Sequence, residues 1–134
     1  MNVSVMNAEN AAKLPNNALA LMGDAVHTAF VRKRLIESHD FKANELYRRE
    51  TVSVSAKAQS RLLDEIMPSL TEEETEIVRR GHSARTNNKP KNALWSEYRK
   101  ATAYETLLGF LYLSGQTERL EEILEMSNKK EERL

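Results

Sequence analysis

Two carboxylates, Asp24 and Glu105, stand alone in stretches that are otherwise uncharged. Asp24 is the only formal charge in residues 14–31, and Glu105 is the only one in residues 102–115. Because 30% of the chain is charged, such segments are expected to be buried. An ionised carboxylate in a buried place needs a partner or a metal ion. Asp24 and Glu105 are therefore the first candidates for a functional site.

If both segments are helices that cross, the two carboxylates converge in one pocket. Hard divalent cations such as Mg²⁺ prefer oxygen ligands and commonly take one or two carboxylates together with waters. A cation held in this way can activate a water and stabilise the charge that develops on a phosphate. A structural alternative stays open, in which Asp24 pairs with a buried arginine or with His27. Glu105 would then bond to the hydroxyl of Tyr98 or Tyr112.

A basic segment provides a second candidate site. Residues 79–92 contain five Lys or Arg and one histidine without any acid, which is typical of a phosphate-contacting loop. Its cations are Arg79, Arg80, Arg85, Lys89 and Lys91, and Lys57 is a further candidate. The loop has no aromatic residue for base stacking, which favours a duplex over a single strand. A solvated loop without function is the alternative.

The elements that position these residues are predicted to be helices. With four glycines, three prolines and no convincing strand, the chain is expected to form one all-α domain over residues 1–134, with a frayed tail from about 128. Six helices are predicted, over residues 16–37, 42–51, 55–67, 72–80, 96–113 and 117–126. Asn16 or Asn17 is expected to cap the first, Thr71 and Glu74 form a capping-box pattern, and Gly81 is a plausible stop.

The first long helix is apolar nearly all round, which predicts a central, buried position. Asn17, Ala20, Asp24 and His27 share one of its faces. His27 and His82 lack partners at metal-ligand spacing, so core packing and the surface are their default interpretations.

Composition restricts the chemistry further. The absence of cysteine excludes disulfides, thiolate zinc sites and cysteine nucleophiles, and it suits a reducing cytosol. The longest apolar run is far shorter than the ~20 residues that a membrane-spanning helix needs. No secretory signal is expected at the N-terminus.

Two motifs resemble ribonuclease III domains. Residues 16–26, NNALALMGDAV, resemble the family's N-E-R-L-E-F-L-G-D signature, with Asn17 and Ala20 in place of two glutamates. Residues 102–109, TAYETLLG, resemble its D-x-[FY]-E-A-L-[IL]-G helix, with Thr102 in place of the aspartate. These departures, together with VSAKAQ at 54–59, VRRG at 78–81 and KPKN at 89–92, are similar to Mini-III, the minimal bacterial ribonuclease III type, which lacks a double-stranded-RNA-binding domain.

The resemblance implies a six- to seven-helix endonuclease domain that acts as a homodimer on double-stranded RNA. Asp24 and Glu105 would bind Mg²⁺ and deliver a water to a phosphodiester, leaving 5′-phosphate and 3′-hydroxyl ends. Asn17 and Thr102 would orient ligand waters. Leu21 and Ala25 are expected to contribute to the dimer contact, because a helix apolar on both faces has one face too many for its own core.

The family matures the ends of 23S ribosomal RNA precursors in the cytoplasm, and a ribosomal protein could remodel that substrate first. Two other functions stay open. One is a module that binds structured RNA but has lost catalysis. The other is a helical protein-interaction adaptor, which would leave Asp24 and Glu105 as structural groups.

Overall fold

The computed structural model describes residues 6–38, 42–84 and 89–131, and the described part of the chain is helical without strands. The prediction of an all-α fold is confirmed. The described residues form seven α-helices, which are α1 (Ala8–Ala12), α2 (Asn16–Glu37), α3 (Ala43–Ser53), α4 (Ala56–Ile66), α5 (Glu72–Ser83), α6 (Trp95–Leu113) and α7 (Thr117–Glu131). Within these described ranges, none of the helices combines the length and the apolar character that crossing a bilayer requires.

Helix α6 is the centre of the domain. Helices α2, α4 and α5 make their most extensive contacts with it, and α1 and α7 pack against it as well. Tyr104, Leu107, Leu108, Phe110 and Leu111 of α6 are fully buried. A helix buried on so many sides is expected to be apolar nearly all round, as the sequence of α6 is from Ala101 onwards.

Helix α2 is less buried than its sequence predicted. Its buried residues, Leu19, Gly23, His27 and Val31, follow one another at four-residue spacing on a single stripe. Leu21 is 74% exposed, so the expectation of a helix buried nearly all round was wrong within a single chain, whereas the expected contact of Leu21 with a partner chain stays a prediction. A domain of this size has too few elements to cover a second face, and that face remains at the surface.

Local capping explains where α5 begins, but not where it ends. The Thr71 hydroxyl accepts a hydrogen bond from the Glu74 amide at 3.1 Å, and the Glu74 carboxylate accepts one from the Thr71 amide at 3.0 Å, so the predicted capping box is confirmed. The predicted stop at Gly81 was wrong, since α5 continues to Ser83. Gly81 instead lies so close to α6 that an added Cβ atom would be 2.7 Å from the Thr106 hydroxyl oxygen.

The start of α2 also differs from the prediction. Its N-cap is Pro15, and neither Asn16 nor Asn17 caps the helix through its side chain. Asn16 bonds to Arg80 instead, both to the guanidinium at 3.1 Å and to the carbonyl oxygen at 3.3 Å. Arg80 also donates to the carbonyl oxygens of Ala12 and Leu14, at 2.6 and 3.4 Å. The arginine therefore holds the α1–α2 connection against α5.

Both ends of the chain contain more helix than expected. The pattern gave no sign of α1, a five-residue helix that Asn7 caps through a hydrogen bond from Asn10. Helix α7 reaches Glu131, whereas fraying was predicted from about residue 128. A single helical turn leaves too few residues for periodicity to be read, and α1 depends on packing against α6 rather than on its own pattern.

Candidate active site

Two glycines bring α2 and α6 into backbone contact. A Cβ atom added at Gly23 would lie 1.7 Å from the carbonyl oxygen of Glu105, and one added at Gly109 would lie 1.8 Å from the carbonyl oxygen of Leu19. Only glycine permits so close an approach. Because Asp24 follows Gly23 directly, this crossing places Asp24 beside Glu105.

A cleft of about 700 Å³ opens at this crossing. Its wall consists of Asn16, Asn17, Ala20, Leu21, Asp24, Ala84, Tyr98, Thr102 and Glu105. Asp24 is exposed and Glu105 is half-buried. The expectation that both carboxylates are buried was therefore wrong for Asp24, because the second face of α2 lies at the surface. The cleft nevertheless brings together the two carboxylates that the sequence singled out.

The electrostatics of the cleft centre on Glu105. Burial, and after it the neighbouring Asp24 side chain and its negative charge, together raise the pKa of the Glu105 carboxyl to about 8. The amide of Gln59 opposes this by lowering the pKa. A carboxyl group of this kind holds its proton near neutral pH unless a positive charge replaces it.

The residues present fit a Mg²⁺ ion better than a metal with many protein ligands. No Lys, Arg or His is among the described residues that line the cleft, so nothing there neutralises the two carboxylates. The described ranges contain no group of three or more His, Cys, Asp or Glu side chains that could hold a metal ion. Two carboxylates in an open cleft match the usual protein contribution to a hydrated Mg²⁺ site.

The alternative pairing of Asp24 with His27 is not what the structure forms. His27 is 3% exposed, and its Nε2 lies 3.2 Å from the Ser53 carbonyl oxygen while its ring packs edge-on against Tyr104. Burial lowers the pKa of His27, and the backbone contact with Ser53 and the charge of Asp24 only partly oppose that effect. His27 therefore belongs to the core, as expected, and His82 is exposed.

Three neutral residues line the cleft where the sequence pattern placed them. Ala20 and Asn17 stand on α2 one and two turns before Asp24, and Thr102 stands on α6 one turn before Glu105. The Thr102 hydroxyl donates to the carbonyl oxygen of Tyr98 at 2.9 Å, so its oxygen remains available only as an acceptor. Asn17 is exposed at the cleft wall, where its amide can contact water.

Sequence reasoning missed Gln59 as a residue of this region. It is 2% exposed and lies on the buried stripe of α4 with Leu62, Leu63 and Ile66. The spacing of these four residues is that of one apolar helix face. A polar residue within such a stripe is the signal that was available in the sequence.

The predicted RNA-contacting cations have different surroundings. Lys57 is exposed in the first turn of α4. Arg79 pairs with Glu76 on its own helix. The Arg80 guanidinium donates its hydrogen bonds to residues of the α1–α2 connection. Lys89 donates to the Ala93 carbonyl oxygen at 2.6 Å and lies 5.6 Å from the centre of the Trp95 ring.

The remaining two basic candidates are Lys91 and Arg85. Lys91 is exposed, and no ion pair involves it in the described part of the chain. Arg85 lies outside the described residues. Arg61, which the sequence analysis did not single out, is exposed one turn after Lys57 and likewise forms no ion pair within the described ranges.

Leu21 and Ala25, predicted together as dimer contacts, lie on different surfaces. Leu21 lines the carboxylate cleft. Ala25 lines a separate apolar groove of about 600 Å³ between α2, α6 and α7. The other residues of this groove are Met22, Val26, Ala29, Phe30, Tyr112, Leu113, Gly115, Thr117, Leu120, Glu121 and Leu124. Both surfaces include exposed apolar side chains of α2.

Comparison with known proteins gives one consistent result. Residues 17–116 match the ribonuclease III domain family. The chain is 45% identical over 120 residues to Mini-ribonuclease 3 of Symbiobacterium thermophilum, which covers 90% of this chain and 92% of that protein. It is 39% identical over 126 residues to Mini-ribonuclease 3 of a Thermoanaerobacter species, covering 94% and 89%. A crystal structure of a Fusobacterium nucleatum protein matches 89% of this chain and 95% of that one, with a TM-score of 0.80 and 28% identity.

Proposed function

We propose that this chain, which belongs to the Mini-ribonuclease 3 family of ribonuclease III domain proteins and is an endoribonuclease, cleaves double-stranded RNA with a Mg²⁺ ion held by Asp24 and Glu105. The observation that supports the site is the convergence of these two carboxylates in one cleft that no described cation neutralises. Both residues also occupy the matching positions of the family motifs. Double-stranded RNA as substrate and Mg²⁺ as cofactor belong to the proposal.

The chain's own residues have separable tasks in this chemistry. Asp24 and Glu105 provide oxygen ligands, and Glu105 gives up its proton when the cation binds because a positive charge replaces it. When bound, the cation supplies a nucleophilic water at neutral pH and stabilises negative charge on the phosphate. Asn17, two turns before Asp24, and Thr102, one turn before Glu105, present neutral polar groups that orient water in the cleft. Ala20 leaves room at the wall where a longer side chain would reach in.

The test of the site is a pair of isosteric substitutions. Asp24→Asn and Glu105→Gln remove ligand charge at nearly constant volume, and each is expected to reduce kcat on duplex RNA by about 10²-fold or more. Glu118→Gln is the matched control, because Glu118 is exposed on α7 outside the cleft. Cleavage is measured with purified protein, long duplex RNA, and either Mg²⁺ or EDTA.

Three outcomes would contradict the proposal. Mg²⁺-dependent cleavage close to the wild-type rate by either cleft variant would remove the metal-ligand assignment. A gel shift of duplex RNA without cleavage by the wild type would instead select a module that binds structured RNA. Cleavage of single-stranded RNA of the same sequence at an equal rate would contradict duplex specificity.

The proposed natural substrate is the precursor of 23S ribosomal RNA, whose ends the enzyme would mature in the cytoplasm. The support for this is the resemblance to Mini-III over nearly the whole chain. The experiment is cleavage of a transcript in which the paired ends of the precursor form a stem, with and without ribosomal protein. A matched stem of scrambled sequence is the control, and equal cleavage of both stems would show that the precursor's own sequence is not recognised.

A homodimer is the proposed assembly, because the exposed apolar face of α2 lacks a cover in a single chain. Two apolar surfaces of α2 are left uncovered. One is at Leu21, which is 74% exposed, and the other is the groove that Ala25 lines. Light scattering is expected to give a dimer for the wild type and a monomer for Leu21→Lys or Ala25→Arg. Lys13→Glu, at the residue that follows α1, is the control for a charge change elsewhere. A monomeric wild type at micromolar concentration would contradict this assembly.

The RNA-contacting surface is proposed to include Lys57 and Lys91 from the predicted set, with Arg61 added from the structure. Each phosphate contact adds up to ~0.9 to the log–log salt slope of binding, by the value for duplex DNA. Replacing Lys57 and Arg61 by Ser is therefore expected to flatten the slope by up to about two units. Arg79→Ser is the matched control, because Arg79 is already paired with Glu76. An unchanged slope in the double variant would exclude α4 from the contact.

A further inference from the structure

A buried glutamine on α4, Gln59, has no part in the chemistry described so far. Its side chain is 2% exposed and lies among the apolar residues that pack α4 onto the core. A buried polar group without a hydrogen bond costs about 1–3 kcal/mol. An apolar side chain would therefore be expected at this position if it served packing alone.

The amide of Gln59 interacts with the Glu105 carboxyl across the contact between α4 and α6, although its nitrogen forms no complete hydrogen bond. Within the described ranges, Nε2 has no partner at normal hydrogen-bond length and angle. It nevertheless interacts with the Glu105 carboxyl, because it is the one group that lowers the pKa of Glu105. Helix α4 packs directly on α6, which carries Glu105. An unpartnered buried donor therefore lies on the helix that packs against the helix carrying Glu105.

Because Asp24 and Gln59 both influence the pKa of Glu105, its carboxyl faces more than one neighbour. A carboxylate has two oxygens and about four acceptor positions. One oxygen can therefore bind a cation together with Asp24 while the other accepts a hydrogen bond from α4. A neutral amide is suited to this task, since it orients the carboxylate without cancelling the charge that attracts the cation.

We propose that Gln59 is a positioning residue, whose amide donates a hydrogen bond to the Glu105 carboxylate and holds it in the orientation that binds a divalent cation together with Asp24. The inference rests on the proposed function, since it requires a cation at these two carboxylates. Hydrogen-bonded partners of this kind commonly change metal affinity by about 10–100-fold when they are removed.

A purely structural role for Gln59 makes the opposite prediction. If Gln59 only fills space in the core, Gln59→Leu lowers the stability of the metal-free protein through altered packing and leaves cation affinity as it was. If Gln59 positions Glu105, Gln59→Leu removes an unsatisfied buried donor, so the metal-free protein keeps or gains stability while cation affinity falls. Gln59→Met is a second variant of similar volume, whose flexible side chain adapts where leucine fits poorly.

The experiment measures Mn²⁺ binding to the full chain without RNA, by loss of the free-ion signal in electron paramagnetic resonance. Urea unfolding of the metal-free protein is measured alongside it. The variants are Gln59→Leu, Gln59→Met and Asp24→Asn, with Ser60→Ala as the control. Ser60 is buried on the same helix, but lies ~100° round the axis from Gln59.

We expect Gln59→Leu and Gln59→Met to weaken Mn²⁺ binding by about 10–100-fold without loss of metal-free stability, while Ser60→Ala binds like the wild type. Raising Mg²⁺ should restore much of the lost cleavage rate. Wild-type affinity in both Gln59 variants, with loss in Asp24→Asn, overturns the positioning role alone. Wild-type Mn²⁺ affinity in Asp24→Asn overturns the proposed metal site, and it overturns the positioning role of Gln59 as well.

Discussion

Replacing Glu105 by Gln is expected to stabilise the metal-free protein above neutral pH. Burial first, and the hydrogen bond and charge of Asp24 next, raise the pKa of the Glu105 carboxyl from 4.5 to about 8. The folded protein therefore binds this proton more tightly than the unfolded chain does. The resulting stabilisation is fully present below the unfolded pKa, declines as the pH rises through this interval, and levels off above the folded pKa.

The size of the effect follows from the same interval. A rise from 4.5 to about 8 is some 3.5 pKa units, which at ~1.36 kcal/mol per unit sets an upper limit of about 5 kcal/mol. Water in the open cleft reduces this figure, and we expect a change on the order of 2–5 kcal/mol. Glutamine is neutral at every pH, so the unfolding free energy of Glu105→Gln lacks this pH-dependent contribution.

The assay is urea unfolding followed by circular dichroism from about pH 5 to about pH 8.5, with EDTA and at one protein concentration. The quantity of interest is the free energy of unfolding of Glu105→Gln minus that of the wild type, which should grow with pH. His27 contributes with the opposite sign, because burial lowers its pKa and its contribution to stability is lost as the pH falls. This contribution is common to both proteins and cancels in the difference.

Two further variants sharpen the result. Asp24→Asn removes the hydrogen bond and the charge but leaves Glu105 buried, so the pH dependence should shrink without vanishing. Glu118→Gln, at an exposed position on α7, should track the wild type at every pH. A constant difference between Glu105→Gln and the wild type across the whole range would refute the reasoning, since Glu105 would then be ionised in the folded protein.

Three other predictions concern the framework and the cation. Gly109→Ala places a Cβ atom 1.8 Å from a backbone oxygen that cannot rotate away, so it should cost about 3 kcal/mol or more and reduce cleavage. Gly81→Ala, which meets mainly the Thr106 side chain, should cost less in the same urea titration. Thr71→Ala removes the capping box and should lower the unfolding free energy by about 1–2 kcal/mol with unchanged kcat. Saturating Mg²⁺ at 100 times its Kd should stabilise the wild type by about 2.7 kcal/mol, and Asp24→Asn by far less, in thermal unfolding with and without EDTA.

The parts of the fold that depend on local sequence were predictable. The capping box of Thr71 and Glu74 needs four consecutive residues, and it marks the start of α5 correctly. The role of Gly81 depends on a distant residue, Thr106 on α6. A glycine that ends a helix and a glycine that lets two helices touch cannot be distinguished without knowing the partner.

The candidate site also has features that the sequence predicts and features that only the packed structure reveals. The isolation of Asp24 and Glu105 in uncharged segments, and their match to family motifs, was visible in the sequence. The exposure of Asp24 was not, because apolar composition round α2 does not reveal which face is covered. Arg80 illustrates the limit for charged residues, since its acceptors include backbone carbonyl oxygens 66 and 68 residues away.

The crossing of α2 and α6 has a consequence for how the enzyme can lose activity. The carbonyl oxygen of Glu105 packs against Gly23, and that of Leu19 packs against Gly109. Each helix therefore contributes one glycine and one carbonyl oxygen, four residues apart, to the same pair of contacts. Sliding one helix by a turn, about 5.4 Å, would bring side chains against both oxygens. The two antiparallel helices can therefore pack in only this register, and the distance between Asp24 and Glu105 cannot change gradually while they remain packed. Heat or denaturant should consequently abolish the catalytic centre in a single step together with the fold, without a preceding range of gradually weakened enzyme.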